Sequence, residues 1–396
     1  MTSLSTSSTI DFHRLDSSQE YLKTNIARDV NQLYLSAGKN QEEKLLIDQI
    51  FIRQKIRKKL PEWSRNFKLI FTKNISHEQS SSEATAILKS NLISGKKIID
   101  LTGGMGVDCY YFAKSFRACL YCERQEILAE YTKHNFTELG VKNVDFFIGN
   151  SLDKIRSEKS DYIYIDPARR DGFNSKLISL NDCEPNVVEI KEDLISNNRI
   201  ALIKTSPMLD ISLAIRELKN VYEVWVISHR NETKEIIFCL KNGNHNPFVR
   251  TFNILQNGKI QEFDFYPNDS PKIKIALRNK AYLYEPNSSM QKAKGGDAFA
   301  EKYGLEKLDS NTNLYYSDEH IDFYPGKIFE VKKILKPYDK EFKKGRFNII
   351  SRNFPDKADF IQRKLKIRPS KNEYLIACKT SFTNYIFIQA SHIARS

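Results

Sequence analysis

The sequence lacks any long apolar run, and that absence excludes one class of protein. None of its 396 residues lies in a stretch that reaches the ~18 consecutive apolar residues of a membrane-spanning helix. The segment Met1 to Ser8 is rich in serine and threonine and has no apolar core of the kind that a secretory signal needs. We therefore expect a protein that neither spans a membrane nor is secreted.

Cysteine is scarce and shows no paired arrangement. Six cysteines are scattered along the chain, which favours a reducing, cytoplasmic setting. Cys119 and Cys122 form a CxxC, but they lie in a predicted strand, where residues three apart point to opposite faces. Because there is no second pair and no histidine at ligand spacing, we expect buried strand residues and no metal site.

Positive charge is abundant and unevenly distributed. The net charge is +13, and residues 323–396 alone contain 17 Lys/Arg against 6 Asp/Glu, a balance of +11. Such an asymmetry indicates a polyanionic partner, although a lysine-rich surface can also serve solubility alone. Three phenylalanines, Phe347, Phe354 and Phe360, are interleaved with these charges and are expected in the core. The cations that we assign to the basic surface are Lys343, Lys344, Arg346, Arg352, Arg363, Lys364, Lys366 and Arg368.

The apolar patterns divide the chain into four predicted parts. Residues 1–75 show helical periodicity, above all in QEEKLLIDQIFIRQKIRKKL, which Pro61 is expected to end. Residues 76–245 alternate strands with helices, which predicts βαβ units and a mainly parallel sheet with an antiparallel hairpin at its edge. Residues 246–322 and 323–396 are predicted to be two small α+β domains, the first of them ferredoxin-like. Their short β-like runs, which turns separate, are PKIKIALRN, KAYLYEP, KIFEVKKIL, FNIISRNF, YLIACKT and NYIFIQA.

The segment after residue 75 contains the predicted Rossmann-like α/β domain. Ser80 and Glu83 are expected to form a capping box for a helix that runs to about Ser94. The predicted strands that follow are KKIIDL, ACLYCE, VDFFIG, DYIYID and NRIALIKTS, and the predicted hairpin is VYEVWVISH with ETKEIIFCL.

Chemistry-bearing residues follow the first of these strands. Asp100 ends that strand, and Gly103, Gly104 and Gly106 follow in the turn that leads into a helix. Glycines let the backbone approach a ligand closely and take positive φ. Ligands of open α/β sheets bind outside the carboxyl ends of the strands. The pattern therefore predicts a binding site at this edge.

Three more strand ends carry polar residues. Glu123 ends the second strand about 20 positions past the glycines, where an acid can accept hydrogen bonds from ribose hydroxyls. Asn150 and Ser151 follow the third strand, where a side chain can meet an adenine edge. Asp166-Pro167-Ala168-Arg169 ends the fourth strand. Four successive strand ends with ligand-facing residues favour one shared site.

This ordered set resembles the class I S-adenosylmethionine-dependent methyltransferases. The resemblance is greatest to predicted bacterial RNA methyltransferases with a C-terminal THUMP-like domain, and it covers roughly residues 76–390. The blocks that carry it are EQSSSEATA, IDPARRDG, KTSPMLDI, YLYEPNSSMQKAKGGDAFAEKYGL and ISRNFP. NAD-dependent dehydrogenases share the glycine pattern but do not normally carry Asp-Pro-Ala-Arg at the fourth strand end.

The resemblance implies a role for each matching position. Asp100, Thr102 and the three glycines would line the methionine end of S-adenosylmethionine, Glu123 would hold its ribose, and Asn150 would lie near the adenine. The segment from Asp166 to Arg169 would face the methyl group and the substrate, with Asp166, Pro167 and Arg169 as catalytic residues. The C-terminal region is expected to bind structured RNA through its shape and phosphates.

The fourth and fifth strand ends each depart from a known methyltransferase pattern. Exocyclic-amine methyltransferases usually have an aromatic residue after Asp/Asn-Pro-Pro, where this chain has Ala168 and Arg169; the arginine could stack on a base or hold a phosphate. Uracil C5 methyltransferases do use Asp-Pro-Pro/Ala-Arg, but they also need a cysteine nucleophile after the fifth strand, where this chain reads KTSP. Cys183 is the nearest thiol but precedes that strand. We therefore favour methylation of a base nitrogen over methylation of C5.

Several other residues have open interpretations. Lys204 is either a phosphate contact or a structural residue, and Ser206 or Asp210 is expected to cap the next helix. His229 and Glu232, near the hairpin turn, are expected to be surface residues. The run KAKGGDAFAEKYG is either a phosphate contact at a helix N-terminus or a structural loop.

Two other functions remain open on the sequence. One is an RNA-binding protein that keeps the methyltransferase fold without turnover, and the other is a methyltransferase for protein or a small molecule. Intact acidic positions argue against the first, and the basic C-terminal part argues against the second.

Overall fold

The structure is a computed structural model, and it describes residues 15–72, 80–169, 180–267 and 271–394, with the backbone alone for residues 15–17 and 169. The chain divides into two compact units, residues 1–171 with 181–203 and residues 172–180 with 204–396. The segment Met1 to Ser8 and parts of the blocks EQSSSEATA and IDPARRDG lie outside the described residues. Among the helices that are described, none has both the length and the apolar character that a membrane crossing requires.

The first unit begins with helices, as predicted. Its first four are α1 Leu15–Asn25, α2 Val30–Ala37, α3 Gln41–Ile56 and α4 Pro61–Arg65. The Asn40 side chain caps α3 by accepting a hydrogen bond from the Glu43 amide, 3.2 Å away. The expectation that Pro61 ends the long helix was wrong: α3 ends at Ile56, and Pro61 is the first residue of α4. Proline suits that position because it needs no backbone N–H there.

The predicted capping box is also corrected. Helix α5, Glu83–Leu92, is capped by Ser82, whose side chain accepts from the Thr85 amide, and not by Ser80. The Glu83 carboxylate accepts hydrogen bonds from the amides of Glu62 and Trp63, 2.8 and 3.0 Å away, in the first turn of α4. A glutamate at this spacing can therefore cap a different helix, which local sequence does not indicate.

A parallel sheet follows in the first unit. Its strands are β1 Gly95–Asp100, β2 Phe116–Glu123, β3 Val144–Ile148, β4 Tyr162–Ile165 and β7 Ile200–Thr205, in the order β3-β2-β1-β4-β7. Between them lie α6 Val107–Phe112, α7 Glu126–Glu138, α8 Leu152–Ser157, the two-residue strands β5 Ala168–Arg169 and β6 Cys183–Glu184, and α9 Val187–Ile195.

All neighbouring pairs among these five strands are parallel, which confirms the α/β expectation. Strand β2 is buried over most of its length, including Cys119 and Cys122, as a strand covered on both faces should be. Because the strands run in one direction, the ends of β1, β2, β3 and β4 lie at one edge of the sheet, where the candidate site is found.

In the second unit, α10 Ile211–Leu218 precedes four strands, β8 Val221–His229, β9 Glu232–Leu240, β10 Phe248–Ile254 and β11 Ile260–Phe265. The predicted hairpin is confirmed as the antiparallel pair β8–β9. It does not form the edge, because β10 pairs with β8 in parallel and β11 then pairs with β10 antiparallel. The predicted domain boundary at residue 245 falls between β9 and β10, so this sheet continues across it.

The rest of the second unit is built on an eight-stranded sheet in the order β12-β14-β15-β13-β16-β19-β18-β17. Its elements are β12 Lys274–Ile275, β13 Tyr282–Pro286, α11 Ser288–Ala293, α12 Gly296–Tyr303, β14 Glu306–Asp309, β15 Thr312–Ser317, β16 Gly326–Leu335, β17 Asn348–Arg352, α13 Ala358–Leu365, β18 Glu373–Thr380 and β19 Asn384–His392.

This second sheet joins the two α+β parts that the sequence separated near residue 323. Strand β13 pairs with β15 on one side and with β16 on the other, so the hydrogen-bonded ladder continues through that point. The core includes Leu283 and Phe329 from those strands and Ile376 from β18, all fully buried. The β-like runs predicted after residue 246 correspond to β12, β13, β16, β17, β18 and β19, although β12 has only two residues, whereas β10, β11, β14 and β15 were not predicted.

Candidate active site

The glycine turn after β1 is closed by its own hydrogen bonds. The Gly103 amide donates to the Cys122 carbonyl (2.9 Å), the Gly104 amide to Glu123 Oε2 (3.0 Å) and the Gly106 amide to the Gly103 carbonyl (2.8 Å). All three glycine amides are thus bound to acceptors within the protein, which leaves carboxylates rather than amides to face a ligand.

Each glycine has a specific physical reason. A Cβ at Gly103 would lie 2.2 Å from the Tyr121 ring, so any side chain there would have to displace that ring. Gly106 takes φ +77° at the start of α6, and a Cβ would lie 2.6 Å from Thr132. Gly104 has φ +54° and little else near it. Gly103 is therefore required by packing, Gly104 by backbone conformation, and Gly106 by both.

Glu123 has a structural role that the sequence did not indicate. Glu123 is 9% exposed. One of its carboxylate oxygens accepts a hydrogen bond from the Gly104 amide, and the other accepts one from the Gln125 amide, 2.9 Å away. Each oxygen has a further lone pair for another donor. Glu123 therefore ties the end of β2 to the glycine turn, in addition to its expected place beside a ribose.

Two side chains that were not predicted from the sequence also bind the glycine turn. Tyr121 Oη donates to the Gly104 carbonyl at 2.5 Å, and Thr132 Oγ1 of α7 donates to it at 3.1 Å. The sequence indicates these two residues only through their positions in β2 and α7, the elements that flank the turn.

The end of β4 is tied to the end of β1. Thr102 Oγ1 accepts a hydrogen bond from the Asp166 amide at 2.7 Å, and the Leu101 amide donates to the Tyr164 carbonyl at 2.9 Å. Asp166 and Pro167 are half-buried, and Ala168 is exposed. The structure thus brings Asp166 next to the turn that carries Thr102.

Asp100 is the most buried acid of the group. It is 2% exposed, and its Oδ1 accepts a hydrogen bond from the Thr102 amide at 3.1 Å. Burial raises the pKa of Asp100 well above its usual range, and the negative charges of Asp108, Asp166 and Glu123 raise it further. A cationic ligand bound among these carboxylates would lower the pKa of Asp100.

Asn150 is less closely connected to this group. It is exposed, and its Oδ1 accepts from the Leu152 amide at 3.2 Å in the turn before α8. The neighbouring Gly149 amide donates to the Glu123 carbonyl at 2.9 Å, so the end of β3 does lie beside the end of β2. The Asn150 side chain still has its amide group for a ligand.

The strand end after Pro167 forms a small hairpin with a later segment. In it, Ala168 pairs with Glu184 and Arg169 pairs with Cys183. Glu184 Oε1 also lies 2.9 Å from Arg124 Nη1. This pairing brings Cys183, which is 8% exposed, opposite Arg169 in a way that the linear order did not predict. The Arg169 side chain lies outside the described part of the structure.

The residues at the end of β7 belong to the second unit. Lys204 lies within the strand and is only 8% exposed, which does not favour a phosphate contact on the surface. Asp210 caps α10 by accepting from the Leu213 amide at 2.8 Å, as one of the two expected caps. Ser206 instead accepts from the Met208 amide at 3.3 Å.

The hairpin residues His229 and Glu232 pair with each other in the ladder. His229 is half-buried, and burial lowers its pKa from the usual value. Glu232 is exposed and lies 2.7 Å from Lys234 Nζ.

The KAKGG run has a packing explanation. A Cβ at Gly296 would lie 2.5 Å from Tyr315 Oη, and one at Gly295 would lie 2.7 Å from the Phe265 ring. At the start of α12, Asp297 binds Lys307 at 2.9 Å and accepts from Tyr315 at 2.6 Å. An acid at that helix start disfavours a phosphate, so the geometry favours the structural loop.

The predicted basic surface is exposed at seven of its eight positions. Arg346 and Arg368 lie side by side because their backbones form a bridge. Arg352 is the exception, since its guanidinium lies 2.6 Å from Glu285, a carboxylate that is 3% exposed. Arg352 is therefore already paired with an acid, although 41% of its side chain is still exposed. A buried acid on β13 binds it, and the sequence does not show that pairing.

Of the three interleaved phenylalanines, two pack against the core and one is exposed. Phe347 and Phe354 pack against the core cluster that includes Phe342, as expected. Phe360 is 43% exposed and lies under Lys364 Nζ, 5.4 Å from its ring centre, so the core expectation was wrong for this residue. Phe360 lies on the outer face of α13, because Ile361 and Leu365 are the residues of that helix that face the core.

The structure is similar as a whole to a crystal structure of a putative methyltransferase from Porphyromonas gingivalis W83. The match has a TM-score of 0.86 and 25% identity, and it covers 98% of this chain and 100% of that chain. A methyltransferase from Geobacter sulfurreducens matches 53% of this chain and 94% of that one, with 11% identity and a TM-score of 0.32. Nothing further about this chain follows from that second, low score.

Family models match the C-terminal part of the chain. A ferredoxin-like domain matches residues 282–325, and a THUMP domain-like model matches residues 326–391. None of the curated proteins matches the chain. The domain boundaries expected at residues 245 and 322 stay predictions. The chain is therefore similar over nearly its whole length to a putative methyltransferase, and it carries a ferredoxin-like domain followed by a THUMP-like domain at its C-terminal end.

Proposed function

We propose that this protein is an S-adenosylmethionine-dependent methyltransferase that methylates a base nitrogen in structured RNA. The observation that carries the proposal is the candidate site itself. Three carboxylates, those of Asp100, Glu123 and Asp166, surround a glycine turn whose glycine amides are bound within the protein. Such a site suits a cationic ligand.

This arrangement favours one of two nucleotide cofactors. A dinucleotide such as NAD carries a pyrophosphate, which glycine turns bind through backbone amides. Here the amides of Gly103, Gly104 and Gly106 already donate to protein acceptors. S-adenosylmethionine instead carries a positive sulfonium and an ammonium group, which the carboxylates would attract. The donor set therefore fits S-adenosylmethionine better.

Different residues would bind different parts of the cofactor. Asp100, Thr102 and the glycine turn would hold the methionine end, Glu123 the ribose, and Asn150 the adenine edge. When bound, the sulfonium supplies an electrophilic methyl group. Asp166, with the backbone of Pro167 and with Arg169, would hold the base. A carboxylate that accepts an amine hydrogen keeps the nitrogen lone pair directed at the methyl carbon, and such positioning can contribute several kcal/mol.

RNA is the proposed substrate because of the C-terminal cations. Seven of the eight expected basic residues are exposed, and the THUMP-like match covers the same residues. Exposed Lys and Arg bind phosphates and release counterions, which gives affinity without sequence selectivity. The cellular setting that we propose is the cytoplasm.

Two measurements test this function. Calorimetry should give binding of S-adenosylmethionine and much weaker binding of NAD; a preference for NAD would refute the cofactor assignment. RNA from a strain that lacks the protein should then accept a labelled methyl group, and nucleoside mass spectrometry should locate it on a base nitrogen. Cofactor binding without transfer to any cellular RNA would favour an RNA-binding protein, and transfer to protein or a small molecule would favour the other alternative.

A further inference from the structure

A buried ion pair lies behind the glycine turn. Lys89 of α5 and Asp108 of α6 are 1% and 8% exposed, and Lys89 Nζ lies 2.9 Å from Asp108 Oδ1. Removing two ions from water is costly, and apolar side chains of similar volume are often as stable as a buried pair. Stability alone therefore gives a weak reason for this pair.

Two hydroxyl groups complete the arrangement. Ser81 Oγ and Tyr164 Oη both donate to Asp108 Oδ2, at 2.7 and 2.8 Å. Lys89 Nζ also donates to Ser81 Oγ at 2.9 Å and to Tyr164 Oη at 3.4 Å. We call Ser81, Lys89, Asp108 and Tyr164 the anchor group. Its members come from four places in the chain: the segment before α5, α5 itself, α6 and β4.

The anchor group connects the two parts of the candidate site that must stay aligned. Asp108 lies two residues after Gly106, in the first turn of the helix that the glycine turn leads into. Tyr164 lies two residues before Asp166 on β4, and its carbonyl accepts from the Leu101 amide. A displacement at Asp108 would therefore move the glycine turn relative to Asp166.

We infer that the anchor group is a positioning device that fixes the glycine turn against the end of β4, so that cofactor affinity and methyl transfer depend on it. None of its members is among the residues assigned to the cofactor or the base. The part concerning affinity and transfer rests on the proposed function, whereas the part concerning the turn can be measured without any ligand.

The experiment compares Lys89→Met with the double variant Lys89→Met/Asp108→Asn. The single variant leaves Asp108 as a buried, unpaired charge and should lower Tm strongly. The double variant removes both charges and keeps an acceptor for Tyr164. It should therefore recover most of the Tm that the single variant loses. Its Kd for S-adenosylmethionine should nevertheless rise at least ~10-fold, and amide hydrogen exchange at residues 101–107 should become faster in the ligand-free protein.

A matched control is available in the same unit. Arg199 is also buried, and its guanidinium binds the carbonyls of Leu194, Ile155 and Asp193, away from the turn. Arg199→Lys should lower Tm while leaving the Kd within ~3-fold and exchange at 101–107 unchanged. A loss of affinity in this control as large as in the double variant would overturn the inference, because general loss of stability would then explain both.

The remaining outcomes are also decisive. A double variant with recovered Tm, wild-type Kd and wild-type exchange at 101–107 would show that the group only supports the fold. If the wild type binds no S-adenosylmethionine, the proposed function fails, and the exchange rates alone decide on positioning. If the double variant does not fold, Tyr164→Phe replaces it. That change should raise the Kd ~3-fold and accelerate the same exchange, and no change in either would overturn the inference.

Discussion

Cations are used in opposite ways in the first unit and in the THUMP-like region. Arg53 in α3 is 1% exposed and donates to backbone carbonyls, including those of Ser64 and Asn66. Burial lowers its pKa to about 9. The cations around Arg346 and Arg368 in residues 326–391 are instead exposed to solvent. The comparison teaches that a basic residue indicates a polyanion partner only when its head group is left in water.

The acids of the two regions differ in the same way as the cations. Asp100 and Glu123 in the first unit are buried around the glycine turn and would face a small cation. In the THUMP-like region, Glu330 and Glu341 are exposed and each lies next to a lysine, at 2.6 and 2.5 Å. Exposed pairs of this kind contribute little to stability. We therefore expect the largest effects from acids at the candidate site.

The largest effect should come from Asp166. Asp166→Ala removes the carboxylate proposed to hold the base nitrogen, and loss of such positioning should reduce single-turnover methyl transfer by at least ~100-fold. The Kd for S-adenosylmethionine should stay within a few-fold. Asp145→Ala, at an exposed position on β3, is the control and should transfer normally. Full activity of the Asp166 variant would show that this strand end does not carry the chemistry.

A smaller effect is expected for RNA binding. Removing residues 323–396 would delete four strands of the eight-stranded sheet, so the sharper change replaces Lys343, Arg346, Arg363 and Arg368 by glutamine. If each contacts a phosphate, the slope of log affinity against log salt should fall by roughly 3 to 4. Filter binding across salt concentrations measures this slope.

The control for that change uses cations that are already paired. Lys332 and Lys333 lie beside Glu330 and Glu341 in the same region. Their replacement by glutamine should change the slope less per residue. Salt-independent RNA affinity in the wild type would contradict the assignment of this surface altogether.

Glu123 should show an intermediate effect on the cofactor. Glu123→Gln removes the charge and keeps one acceptor oxygen for the Gly104 amide, while the hydrogen bond from the Gln125 amide is lost. The loss of charge-assisted hydrogen bonds to ribose hydroxyls should weaken S-adenosylmethionine binding about 10-fold in calorimetry. Glu126→Gln, an exposed acid in the first turn of α7, should bind like the wild type. Equal affinity in both variants would refute the ribose assignment.

Asp100 predicts a pH dependence. Its pKa is raised in the ligand-free protein by burial, then by Asp108 and other acids, so the neutral form stabilises the fold at low pH and that contribution is lost as pH rises through the raised pKa. A cationic cofactor favours the ionised form. Affinity should therefore rise with pH, by less than the ~10-fold per unit that one proton allows.

The matching variant is Asp100→Asn, which should flatten the pH profile of the Kd measured by calorimetry between pH 5 and 8. An equally steep profile in the variant would assign the titration to another group.

The smallest effect is expected at Cys183. Methylation of a nitrogen needs no thiol, so Cys183→Ser should transfer methyl groups within ~3-fold of the wild type. Methylation at C5 of a pyrimidine needs a nucleophile that adds to C6. Because Cys183 lies opposite Arg169, loss of transfer in this variant would favour C5 chemistry, and an RNA adduct trapped on denaturation would identify the thiol.

The sequence by itself determined the order of strands and glycines, since apolar periodicity and chain order suffice to predict βαβ units with one ligand-binding edge. It also placed Asp100, Glu123 and Asp166 at strand ends. Only the tertiary structure decided which polar groups are already bound: Glu83 caps α4, Arg352 binds Glu285, and the glycine amides are used internally. Most of those pairings join residues far apart in the chain, and burial of at least one partner favours them because an unpaired polar group costs more in the core than in water.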